Sequence, residues 1–321
     1  MTPPPRVIVT RRLPEPVERL LAAEFDARLN RTDQPSSPET LATALRDADA
    51  VLCTITDRLD AGVLATRPKR ARLLANFGVG VGHIDLPAAR AHGLAVTNTP
   101  GVLTDDTADL TMALLLAAAR RVGEGERLVR SGTWSGWRPT QLLGTSVTGK
   151  TLGIVGFGRI GRAVAERARL GFRMRVLAYN PGAPTAPAPG VQWCASLDEL
   201  LAASDVVSLH CPASPATRHL IGAAQLARMR PHAVLVNTAR GDVVDEAALV
   251  EALERRQLGA AGLDVYEHEP AVPAALLAMD QVVLLPHLGS ATIETRTAMG
   301  MCAVANLRAF FRGEAPPDLV S

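Results

Sequence analysis

The sequence predicts an α/β protein made of two doubly wound parallel-sheet domains, one inserted in the other. Three observations lead there. Short β-branched runs alternate with helical patterns along most of the chain, as parallel strands with helices on both faces require. A second such series opens on a glycine-rich turn between a strand and a helix. The 321 residues, 47% of them hydrophobic, are enough to bury two cores.

The first series begins with the strand Arg6 to Thr10 and a helix from about Pro14. Strands follow at "AVLCTI" (Ala50 to Ile55), "RLLANF" (Arg72 to Phe77) and "AVTN" (Ala95 to Asn98). Helical pieces fall at Pro38 to Arg46 and Leu86 to Ala91, and Ser36-Ser37-Pro38 has the chemistry of a helix start. "TDDTADLTMALLLAAARR" (Thr104 to Arg121) is one long apolar helix with Thr104 or Asp105 as its cap. It is too apolar for a surface helix and too punctuated for a bilayer span, so it is expected between the two domains.

The second series starts at Gly149. Six strands read as "TLGIVG", "MRVLAY", "DVVSLH", "AVLVNTA", "AAGLDV" and "VVLLPH", the last ending at His287. The helical run from Thr292 to Phe311 is too short for a domain and is expected to fold back onto the first one. The first domain is then discontinuous, residues 1–100 with 288–321, and the inserted domain is 101–287.

Net charge is +2, which provides no basic field for nucleic acid. Cys53, Cys194, Cys211 and Cys302 lie far apart, form no ligand cluster and read as buried reduced thiols; no metal site is expected. No stretch approaches the ~20 apolar residues of a membrane span. "MTPPPRVIVT" has no signal-peptide hydrophobic region, so a cytoplasmic protein is expected.

Gly156-Phe157-Gly158-Arg159-Ile160-Gly161 is a G-x-G-x-x-G between an apolar strand and a helix, the fingerprint of a dinucleotide-binding Rossmann domain. Gly156 allows the tight turn, Gly158 the approach of a pyrophosphate, and Gly161 close helix–strand packing. The helix start offers free N–H groups to the phosphates. The next strand ends at Asn180, followed by Pro181 and a loop without charge. Asn180 can bond ribose hydroxyls but does not repel a 2′-phosphate as Asp would. No cation follows to attract that phosphate, and the next Arg is Arg218. The cofactor is NAD or NADP, with NAD favoured.

Arg240, Glu269 and His287 stand at or just past three successive strand ends, where ligands of doubly wound sheets bind. Each alone has an ordinary reading: a solvated loop arginine, an acidic turn, a core histidine. Together they suit hydride exchange at a 2-keto acid. Arg240 can grip a carboxylate through two parallel hydrogen bonds. His287 can protonate the ketone oxygen, and Glu269 beside it favours the imidazolium.

These residues resemble the D-isomer-specific 2-hydroxyacid dehydrogenase family over essentially the whole chain. The resemblance rests on "NFGVGVGHIDL", "NTPGVLTDDTADL", "GKTLGIVGFGRIG", "VNTARGDVVDEAALVEAL", "GLDVYEHEP" and "LLPHLGSAT". It implies a flavodoxin-like substrate domain around the Rossmann domain, with Arg240, Glu269 and His287 catalytic. It implies that Val79 and Gly80 offer N–H groups to the substrate carboxylate, and that Thr104 lies by the cofactor. Asp264 would bond the nicotinamide carboxamide, and Thr238 and Ala239 would border its ring. Cys211, Pro212, Thr217 and Gly289 complete the implied cofactor contacts. "RSGTWSGWRP" is most similar to glyoxylate/hydroxypyruvate reductases, in which a Trp matching Trp137 reaches the neighbouring subunit's substrate site; a homodimer is implied. Many such reductases use NADPH and carry an Arg where Asn180-Pro181 stands. The rivals are a broader 2-keto acid or 2-ketogluconate reductase and, from another class, an NAD-sensing binding protein or corepressor.

Overall fold

The structure is a computed structural model and describes residues 3–180 and 188–320. The chain divides into two compact units, Met1–Leu103 with Ser290–Ser321, and Thr104–Gly289.

The first unit contains β1 (Arg6–Val9), α1 (Glu15–Glu24), β2 (Asp26–Arg28), α2 (Pro38–Asp47) and β3 (Ala50–Thr54). It continues with α3 (Ala61–Leu64), β4 (Leu73–Phe77), α4 (Leu86–Ala91) and β5 (Ala95–Thr97). The strands form a parallel sheet in the order β2-β1-β3-β4-β5. Every residue of β3 and β4 is buried, because helices cover both faces, and so these strands read as unbroken apolar runs. Ser37 caps α2 as its residue type predicts: its Oγ accepts the Thr40 N–H at 3.2 Å, and Pro38 fills the first helical position.

The second unit opens with α5 (Thr104–Ala119) and α6 (Val122–Arg130), then β6 (Thr151–Val155), α7 (Arg159–Phe172) and β7 (Arg175–Tyr179). Next come β8 (Val191–Trp193), α8 (Leu197–Ala203), β9 (Val206–Leu209), α9 (Ala223–Leu226) and β10 (Val234–Asn237). A 3-10 turn at Gly241–Val243 leads to α10 (Glu246–Glu254), β11 (Ala260–Leu263), α11 (Ala274–Ala278) and β12 (Val282–Leu284). The sheet is parallel in the order β12-β11-β10-β9-β6-β7-β8. The winding reverses between β6 and β9, which opens a crevice at the carboxyl ends of those strands.

Two strands were not expected. β8 makes a seventh strand where six were read, and β2 was not read at all. Each is three residues long and sits at a sheet edge, with one neighbour to define it. Neither holds a buried residue, so neither shows the apolar run that marks the equally short edge strands β5 and β12.

The long helix α5 was expected between domains. Its buried side chains, Ala108, Leu114, Leu115 and Ala118 among them, belong to the core of its own unit with Ile154, Val164 and Val236. The last helix, α12 (Ile293–Phe311), returns to the first unit. Met299, Ala303, Val304 and Leu307 pack there with Val7, Leu21, Leu52 and Leu73. Among the described residues no helix is long and apolar enough to cross a membrane.

Candidate active site

The glycine loop follows β6 at the switch point of the second sheet. Gly156 has φ +95°, and a Cβ there would collide with the backbone of His210 and Cys211. A Cβ on Gly161 would run into the Gly156 carbonyl, whereas one on Gly158 would meet nothing within 4 Å. Two glycines therefore serve packing, and the third faces open space. Gly158 precedes Arg159 and Ile160 at the start of α7, and no side chain caps that helix. Its first-turn N–H groups point outward without an intrahelical partner, as a bound phosphate would need. The Phe157 ring is buried, with Trp193 edge-on at 5.4 Å and the Arg162 guanidinium over it at 4.8 Å. The loop thus fits a dinucleotide.

Asn180 follows β7, and its Oδ1 accepts the Phe157 N–H at 2.6 Å. One lone pair of the amide oxygen therefore holds the glycine loop, and the NH2 group and the second lone pair can meet a ribose hydroxyl. Pro181, read with it in the sequence, lies outside the described residues. Past β9, Cys211 is buried, and burial pushes its thiol up to about 11. Thr217 donates to the Pro212 carbonyl at 2.6 Å and closes that turn.

The loop after β10 carries Thr238, Ala239 and Arg240. Asn237 ties it: Oδ1 accepts the Ala239 N–H at 3.0 Å, and Nδ2 donates to the Arg240 carbonyl at 2.8 Å. Arg240 Nη1 donates to the Ala239 carbonyl at 2.6 Å. The guanidinium is partly buried, and among the described residues no carboxylate lies within ion-pair distance of it. Burial pulls its pKa below the usual arginine range, against the opposing charges of Glu269 and Asp242. It remains a cation with free donors.

His287 follows β12 in a left-handed conformation, φ +56°, which is strained for a residue with a side chain. Asp264 enforces it. Its carbonyl accepts the His287 N–H at 2.9 Å, and its carboxylate accepts the N–H groups of Leu288 at 2.6 Å and Gly289 at 2.8 Å. Burial raises the Asp264 carboxyl. Both of its oxygens thus already hold this turn, beyond the cofactor role the resemblance implied.

Glu269 accepts the Tyr266 N–H on Oε1 at 3.1 Å and lies 2.9 Å from His287 Nδ1 through Oε2. Burial pushes the Glu269 carboxyl up. The hydrogen bond and charge of His287 outweigh this and hold it below the usual range. An ionised Glu269 requires that Nδ1 carry a proton, which leaves Nε2 as the atom that can exchange one.

Sequence reading missed the supports behind these residues. Thr107 and Thr111 lie one turn apart on α5, three and seven residues along from the Thr104 that opens it. Thr107 Oγ1 donates to the Gly289 carbonyl at 3.0 Å. Thr111 donates to the Thr107 carbonyl at 2.7 Å and lies 2.8 Å from Thr238 Oγ1. Two hydroxyls at i and i+4 in so apolar a helix were the available signal. Tyr266, whose hydroxyl donates to the Leu285 carbonyl at 2.9 Å, was also passed over.

In the first unit, the loop after β4 has several of its carbonyls tied by side-chain amides. Asn76 donates to the Gly78 and Gly80 carbonyls at 3.0 Å, and Asn98 to the Val79 carbonyl at 2.9 Å. Among the described residues the N–H groups of Val79 and Gly80 have no acceptor, which suits an anion. Trp137 stands 80% exposed in the second unit.

A sequence profile described as D-isomer specific 2-hydroxyacid dehydrogenase, NAD binding domain, matches residues 112–289. A glyoxylate reductase of Korarchaeum cryptofilum is 47% identical over 321 residues, 99% of this chain and 96% of that one. The crystal structure of the TT0316 protein from Thermus thermophilus is similar at TM-score 0.91 and 46% identity, covering 98% of this chain and 100% of that chain. An NADPH-dependent glyoxylate/hydroxypyruvate reductase from Sinorhizobium meliloti, solved with NADP and malonate, is similar at TM-score 0.88 and 33% identity, covering 99% and 97%.

Proposed function

The chain belongs to the D-isomer specific 2-hydroxyacid dehydrogenase family of NAD(P)-dependent oxidoreductases, and from that premise we propose that it reduces the small 2-keto acids glyoxylate and hydroxypyruvate to 2-hydroxy acids. One observation carries the reading: a partly buried arginine with no ion-pair partner among the described residues, whose charge is felt by the carboxylate that holds His287. Arg240 receives the substrate carboxylate and fixes the keto carbon. His287 delivers a proton from Nε2 to the ketone oxygen, and Glu269 stabilises the imidazolium that precedes delivery. The nicotinamide, held by the glycine loop, supplies the hydride. Asn180 bonds the ribose, and since residues 181–187 contain no cation, NADH is the preferred reductant. Val122, Val129, Trp134, Trp137 and Leu143 expose half or more of their surface on one stretch of the second unit, and this supports a homodimer.

The test is the initial rate of reduced-nicotinamide oxidation with glyoxylate, hydroxypyruvate, pyruvate and 2-ketogluconate, each with NADH and NADPH. Fast turnover of the two small acids with NADH is expected. Best turnover with 2-ketogluconate would replace the substrate assignment, and faster NADPH oxidation would overturn the cofactor assignment.

A further inference from the structure

The loops that carry Arg240 and Glu269 lie backbone against backbone. A Cβ on Gly241 would collide with the Tyr266 carbonyl and the Glu267 nitrogen, so there is no slack between them. Glu267 is held at both of its ends. Its N–H donates to Glu246 Oε1, in the first turn of α10, at 2.9 Å. Its own Oε1 lies 2.8 Å from His219 Nε2 and 2.9 Å from Arg218 Nη2. The His219 N–H in turn donates to the Asp242 carbonyl at 2.7 Å, two residues beyond Arg240. Segment 217–221 therefore grips the Arg240 loop by its backbone and the Glu269 loop through one carboxylate.

We propose that Glu267 is a positioning residue: through His219 and Asp242 on one side and Glu246 on the other, it sets the place of the Glu269–His287 pair relative to Arg240. The inference rests on the reading of those three residues given above. Glu267 touches neither substrate nor cofactor. It acts two residues upstream of Glu269, across the turn in which the Tyr266 N–H already holds that carboxylate. Its side chain is only 12% exposed, so the bonds it makes to His219 and Arg218 are partly shielded from water and resist displacement.

The experiment compares Glu267→Ala, Glu267→Gln and wild type. Turnover is expressed per NADH-binding site, so that unfolded molecules do not count as lost catalysis. Glu267→Ala is expected to lower kcat roughly 10- to 100-fold, the effect of about 1 Å of misplacement, with NADH affinity unchanged. Glu267→Gln keeps an acceptor for His219 and should recover most of the loss. A substrate-free reading accompanies it: the hydrogen-bonded Nδ1 proton of His287, seen by NMR, should weaken or vanish in Glu267→Ala and persist in Glu267→Gln. Unchanged kcat and an unchanged proton signal in Glu267→Ala would overturn the proposal. Equal losses in the two variants would also overturn it, since charge rather than position would then be responsible. If Glu267→Ala does not fold, His219→Ala cuts the same link from the other end and must give the same two changes. Should the wild type reduce no 2-keto acid, the functional reading fails, and the His287 signal still decides the positioning role.

Discussion

Arg240 and His287 divide the work between grip and proton, so their removal should be felt in different constants. His287→Ala is expected to lower turnover by roughly 100-fold or more, because it removes the proton donor, while NADH binding measured by fluorescence titration stays intact. Turnover close to wild type would remove His287 from the mechanism. Arg240→Ala should mainly raise KM for the keto acid, roughly 10- to 100-fold for the loss of a charge-assisted pair. Normal saturation would mean that another group holds the carboxylate. At this scale the candidate residues were legible in the sequence, because Arg, Glu and His each follow a recognisable strand. Their supports were not. Nothing in the one-dimensional pattern says that Asp264 folds its carboxylate under Leu288 and Gly289, or that Thr111 meets Thr238 across 127 residues of sequence.

Elements are joined at the opposite end of the second sheet by a single carboxylate. Asp205, just before β9, is buried; burial pushes its carboxyl up, but bonds from the Thr151 N–H, His232 and Arg230 outweigh that and hold it at about 2. The folded value lies below the ordinary 3.8, so this stabilisation is complete above about pH 4 and is lost as the pH falls toward about 2. Discounted for the partly solvated arginine and histidine, it amounts to roughly 1–2 kcal/mol. Denaturant titrations of Asp205→Asn should show that loss at neutral pH and a shallower decline through the acid range. Parallel acid limbs would show that Asp205 is not responsible. The buried strands were read from the chain with small errors at their ends. The edge strands β2 and β8 were not, because neither holds a buried residue, whereas the equally short edge strands β5 and β12 do and carry an apolar run.

At the scale of the whole molecule, the first unit depends on chain that follows the second unit. Met299, Ala303, Val304 and Leu307 are 3% exposed or less and complete one face of its core. Deleting large buried aliphatic side chains costs about 2–5 kcal/mol each, so losing several at once exceeds the roughly 5–15 kcal/mol that holds a domain folded. A chain stopped after Gly289 should therefore show rapid amide exchange through β1 to β5 while β6 to β12 stay protected. Protection retained in β1 to β5 would mean that the remaining layers suffice without α12.

The sequence by itself determined the α/β class, the alternation that makes the sheets parallel, the glycine loop and the three charged residues at strand ends. Each of these is written locally, in the spacing of apolar positions or in residues that only one backbone geometry tolerates. Only the folded chain brings Asn180 Oδ1 to the Phe157 N–H, leaves Arg240 without an ion pair among the described residues, and lets Glu267 link the two loops beside it. These are contacts between residues distant along the chain. Their existence depends on how the strand ends meet in space, which no local pattern records.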